Sequence, residues 1–96
     1  MLNSSDRKKL RGFAHNLEPS IIIGKHGYNE GVKQSINESL SKYELIKIKF
    51  IGHKKEKEPI SQSIASDLDA QIIGSIGNIF IYFKQHPDPE KRKISI

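Results

Sequence analysis

The apolar residues of this chain switch between two spacings, and the order of the switches restricts it to few folds. Leu10, Phe13, Ala14 and Leu17 recur at helical intervals within residues 4–17, the repeat of a single helix face. Ser4 or Ser5 is placed to cap that helix, and Pro19 forbids its continuation. Ser20–Ile23 follows, with three β-branched residues in a row, the pattern of a short strand buried on both faces. Val32, Ile36 and Leu40 restore the helical period behind Asn29, a natural N-cap, through about Lys42. Glu44–Ile51 then alternates: Ile46, Ile48 and Phe50 point one way, Leu45, Lys47 and Lys49 the other. Pro59 suits the first turn of a third helix, with Ile60, Ile64 and Leu68 inward. Ala70–Ile76 and Asn78–Phe83 read as a hairpin turning at Gly77.

The order is therefore α-β-α-β-α-β-β. Parallel strands joined through a helix require right-handed crossovers, and a terminal hairpin adds antiparallel neighbours. The expectation is a two-layer α/β domain with a mixed four-stranded sheet and one core. Residues 1–84 form this single domain. From Gln85 the periodicity stops, and Pro87, Asp88 and Pro89 precede Lys91-Arg92-Lys93. Residues 85–96 are expected to be a mobile basic tail.

Charge narrows the function. The 96 residues hold 16 Lys+Arg against 11 Asp+Glu, a net +5, and no cysteine. Without cysteine there is no disulfide framework, thiolate metal site or thiol catalysis. The apolar runs Ile21–Ile23 and Ile79–Phe83 are far short of the ~20 residues that span a bilayer. Charge at Asp6-Arg7-Lys8-Lys9 arrives before any apolar leader segment, so the expected location is cytoplasmic, with no membrane partner. Arg7, Lys8, Lys9 and Arg11 share the first helix with only Asp6 to balance them. Lys47 and Lys49 line a strand, Lys54, Lys55 and Lys57 crowd a loop, and Lys84 closes the last strand. Positive charge spread over many elements fits an extended polyanion better than a small acidic metabolite.

The most informative motif is Gly24-Lys25-His26-Gly27, between a strand end and a helix start. Glycines there let a ligand approach the backbone closely, and the following helix offers its positive end to an anion. Lys25 adds a point charge; His26 can donate a hydrogen bond or stack on a base. A G-x-x-G loop can clamp the backbone of single-stranded RNA, although the tetrapeptide alone also fits a turn needing glycine only for its dihedrals. It is neither a Walker P-loop nor a dinucleotide fingerprint. His15, His26, His53 and His86 show no metal-ligand spacing, no serine sits in a nucleophile elbow, and no carboxylates are paired. No catalysis, cofactor or small-molecule substrate is expected.

Several blocks together resemble one family. Lys9-Leu10-Arg11-Gly12-Phe13-Ala14-His15-Asn16-Leu17, Ile23-Gly24-Lys25-His26-Gly27, Glu30-Gly31-Val32 and Glu44-Leu45-Ile46-Lys47-Ile48-Lys49 resemble the chloroplast RNA splicing and ribosome maturation (CRM) domain, in its small stand-alone bacterial form of the YhbY type. The likeness runs from about Lys8 to Lys84 and includes the Lys91–Ile94 ending. It implies the same element order, a fold similar to the C-terminal domain of translation initiation factor three, and association with ribosomal RNA or large-subunit precursors during assembly. It also implies that Gly24, Lys25, His26 and Gly27 touch RNA with nearby basic residues. Two positions depart from the family pattern: Phe83-Lys84 stands where Tyr-Arg is usual, and Gly74 where a larger polar residue is common. Lys84 lacks the planar bidentate fork of Arg.

The reading is a monomeric, non-enzymatic RNA-binding module. Its expected RNA contacts are Gly24, Lys25, His26, Gly27, Arg7, Lys8, Arg11, Lys47, Lys49 and Lys84. The alternatives are a protein–protein scaffold with a basic face and an RNA-acting enzyme.

Overall fold

The computed structural model describes residues 2–96. Its elements are α1 (Ser4–Ala14), β1 (Ile21–Ile23), α2 (Glu30–Tyr43), β2 (Leu45–Phe50), α3 (Lys57–Leu68), β3 (Gln71–Ile76) and β4 (Ile79–Phe83), then a 3₁₀ turn, Pro89–Lys91. The strands lie in the order β1-β2-β4-β3. β1 and β2 are parallel, and β4 runs antiparallel to both of its neighbours. The hairpin strand β4 thus slots between β2 and β3, the two strands that α3 connects.

Each element has a local cause. α1 is capped by Asn3, not by either serine: its side chain accepts from the Asp6 amide at 2.8 Å while Asp6 accepts from the Asn3 amide at 3.2 Å. This reciprocal pair satisfies two orphan donors. Asn29 caps α2 as expected, accepting from the Val32 amide at 2.9 Å. Gly77, at φ +61°, turns the hairpin in two residues, a position where a Cβ would be strained. Ile73 is an extra residue in β3, because Ile72 pairs with Tyr82 and Gly74 with Ile81. Such a bulge re-aims a side chain, and Ile73 is buried.

The α/β class and the mixed four-stranded sheet are as the sequence leads one to expect; the layering differs. Ile46, Ile48, Phe50, Phe80 and Tyr82 face α2 and α3, joined by Ile36, Leu40, Ile64 and Leu68. Phe50 and Phe80 meet edge-on at 5.5 Å. Leu45, Ile81, Phe83 and Ile73 face the other way, against Leu10 and Ala14 of α1. Helices therefore cover both faces, and there are two cores, not one. The cause is that β2 and β4 carry apolar residues on both pleats at one end, which needs a second layer.

α1 is shorter than its apolar stripe suggests. It stops at Ala14, which leaves Leu17 exposed beyond its end; Phe13, still within the helix, is exposed as well. β1 is an edge strand and is not buried on both faces: Ile23 is enclosed but Ile22 is 58% exposed. The C-terminal segment is also not free of the domain. The buried carboxylate of Glu44 accepts from the amides of His86 (2.7 Å), Lys93 (2.6 Å) and Ile94 (3.0 Å). Ile94 packs on the α1 core, and Lys9 donates to the Ser95 carbonyl. Burial alone would raise the Glu44 pKa; those three amides, with His86 nearby, outweigh it and hold the carboxyl below its ordinary range.

Candidate nucleic-acid interface

The Gly24–Gly27 loop leaves the end of β1 and turns tightly, the Gly27 amide donating to the Gly24 carbonyl at 2.9 Å. Gly27 has φ +68°, which its lack of a Cβ explains. Gly24 is different. Its φ is ordinary and a Cβ placed there would meet nothing within 4 Å. Nothing in the fold forbids a side chain at Gly24; a ligand lying close to the backbone would.

Two anchors fix the loop. Nε2 of His53 lies 2.7 Å from the Gly24 carbonyl. Because a carbonyl only accepts, that ring nitrogen carries the proton in this contact. On the other side, the Tyr28 hydroxyl donates to Asp67 of α3 at 2.9 Å. Partial burial and the Asp67 carboxylate raise the phenol's pKa, so Tyr28 stays a donor. Between these anchors Lys25 and His26 project into solvent. The α2 N-terminus follows at once, adding its positive end.

His53 belongs to the β2–α3 loop, together with exposed Lys54 and Lys55. It is the residue that sequence reasoning missed. Its role depends on a contact 29 positions away in the chain; a positive φ of 53° is the local sign of the special geometry. The same loop is braced by Lys57, whose ammonium donates to the Gly77 carbonyl at 3.0 Å. The loops at one end of the sheet thus form one surface.

The remaining expected contacts divide. Lys49 stands half-exposed on β2 at this same end, opposite Ile22 of β1. Arg11 is exposed, and its stem lies over Gly74: a Cβ there would come within 3.3 Å of Arg11 Cδ. The small residue at position 74 is therefore a seat for Arg11. Lys8 is exposed on α1. Arg7 donates to the Ile72 carbonyl at 3.0 Å, tying α1 to β3. Lys47 donates to the Leu17 carbonyl at 3.0 Å beyond the end of α1, capping the chain as it leaves that helix. Lys84 follows the last residue of β4, at the opposite end of the sheet, where its amide donates to the Glu44 carbonyl at 2.8 Å. The structure therefore brings together Gly24, Lys25, His26, Gly27 and Lys49. Arg11 and Lys8 lie on α1, Arg7 and Lys47 have structural bonds, and Lys84 is not on the loop but lines a cleft with Glu30 and Gly31 of the first turn of α2 and with Asp67.

Comparison with known proteins finds a family and a shared fold. The model of the CRS1 / YhbY (CRM) domain matches residues 2–84. A Haemophilus influenzae protein named as an RNA-binding protein is 33% identical over 84 residues, 86% of this chain and 85% of that one. The Bacillus subtilis protein named Probable RNA-binding protein YqeI is 29% identical over 86 residues, 88% of this chain and 90% of that one. The solution structure of SAV1595 from Staphylococcus aureus superposes with a TM-score of 0.79 at 24% identity, covering 99% of this chain and all of that one. That likeness shows the fold.

Proposed function

The chain belongs to the CRS1 / YhbY (CRM) domain family, and from that premise we propose that it is a non-enzymatic RNA-binding module. It acts as a monomer in the cytoplasm on ribosomal RNA within large-subunit precursors. The observation that carries this reading is the Gly24–Gly27 loop. It is anchored at Gly24 by His53 and at Tyr28 by Asp67, and its basic tip is left open. A loop held in this way loses little entropy on binding, so its phosphate contacts are pre-organised. Lys25 supplies a charge, the backbone amides supply directed donors, and His26 adds a base or 2′-hydroxyl contact. Lys54, Lys55 and Lys49 widen the footprint. RNA-binding relatives and the +5 charge support the reading.

Phosphate contacts position without reading sequence, so selectivity falls to RNA shape. The test is sedimentation of the tagged protein from cell extract on a sucrose gradient. Co-migration with large-subunit precursors, lost after RNase treatment, is expected. Co-migration that survives complete RNA digestion would indicate a protein scaffold instead.

A further inference from the structure

On the α1 side of the sheet, side chains stand in rows across the strands. Leu45, Phe83 and Gln71 form one row; Lys47, Ile81 and Gly74 form the next. α1 covers both, through Leu10 and Ala14 on the apolar members and Arg11 over Gly74. The third row is Ile22, Lys49, Ile79 and Ile76, about 7 Å further along the strands. α1 does not reach it. Ile22 is 58% and Ile76 76% exposed, one on each edge strand. Bare isoleucines on both edges invite unwanted pairing, which folded proteins ordinarily suppress. Folding gives this row no use; a ligand would.

Charge and position identify the ligand. The four strands contain no Asp or Glu. The row lies at the end of the sheet where β1 enters the Gly24–Gly27 loop and where the Gly77 carbonyl holds Lys57. It is about 14 Å wide, three inter-strand spacings, with Lys49 among the isoleucines. An apolar strip with a lysine in it, flanked by a phosphate-gripping loop, fits a strand whose bases are turned out. Base faces rest on isoleucine while phosphates meet Lys49 and Lys25. A duplex hides those faces and offers phosphates alone.

We propose that Ile22, Lys49, Ile79 and Ile76 form a base-binding strip, so that the RNA recognised is unpaired where it leaves the glycine loop. This rests on the RNA-binding reading above. The test is fluorescence anisotropy over a salt series with single-stranded and duplex RNA of one sequence. Wild type, Ile22→Thr and Ile76→Thr are compared, threonine keeping the β-branch at exposed strand positions, with thermal melts alongside. Wild type should prefer the single strand. Each substitution should lower single-strand affinity roughly fivefold and leave the salt slope unchanged, because apolar contact releases no counterions. Duplex affinity should stay within about twofold of wild type. Unchanged single-strand affinity in both variants would overturn the strip while leaving the loop's function intact. Self-association of wild type in sedimentation equilibrium, abolished by Ile76→Thr, would also overturn it and assign the row to a second copy. Wild type binding neither RNA at low salt would instead remove the RNA-binding reading itself.

Discussion

The two ends of the sheet solve opposite problems with the same materials. At one end, Glu44 is buried and its carboxylate is consumed by three amides of the C-terminal segment. At the other, His53 and Tyr28 pin a loop whose lysine and histidine face solvent. The first end uses polar groups to close the molecule. The second holds the backbone still and leaves its charges unspent, which is what a binding surface requires.

The largest effect that separates the ends is expected at Glu44. It adopts φ +66° and ψ −38°, a strained region for a residue with a side chain. Glu44→Ala keeps the strain and orphans three amides, which should cost about 3 kcal/mol in urea unfolding. RNA affinity of the folded protein should be unchanged. A loss of affinity matching Lys25→Ala would erase the distinction between the ends. The same carboxylate sets a pH dependence. Its folded pKa lies below its ordinary 4.5, so its stabilisation is present above that value and vanishes as pH falls through the lowered one. Urea midpoints for wild type should therefore drop more steeply than those for Glu44→Gln as pH falls below 4.5.

Next in size is Gly27→Asp, which adds a Cβ at φ +68° and a negative charge in the loop. RNA affinity should fall by about thirtyfold, roughly 2 kcal/mol. Gly27→Asn separates the causes, because Asn tolerates this backbone region; it should stay within about threefold of wild type. Equal losses for both would make backbone geometry, not charge, the reason. A smaller loss, about fivefold, is expected for His53→Ala, with partial rescue by His53→Gln, whose amide can donate to the Gly24 carbonyl. In a Lys25→Ala background the His53 effect should shrink, since the histidine acts by placing the loop.

Period and spacing made the strands, the helices and the glycine loop legible, because each rests on residues near one another in the chain. Asn29 as a cap and Ile46, Ile48 and Phe50 on one face of a strand are of this kind. What stayed hidden depends on distant pairs. Lys47 reads as a free basic strand residue until its bond to the Leu17 carbonyl, 30 positions away, is known. The docking of residues 86–94 needs Glu44, more than 40 positions earlier. Two cores replaced one because Leu45, read with the solvent-facing lysines, meets α1. His53 was silent for the same reason.

The claim on which the rest stands is that Lys25, at the tip of an anchored loop, touches a phosphate. The most direct measurement is the slope of log affinity against log salt for a ribosomal RNA fragment, wild type against Lys25→Ala, both shown folded by thermal melts. The loss of one phosphate contact predicts a slope shallower by about 1 and weaker binding across unrelated RNA sequences. Identical slopes and affinities in the two proteins would contradict it.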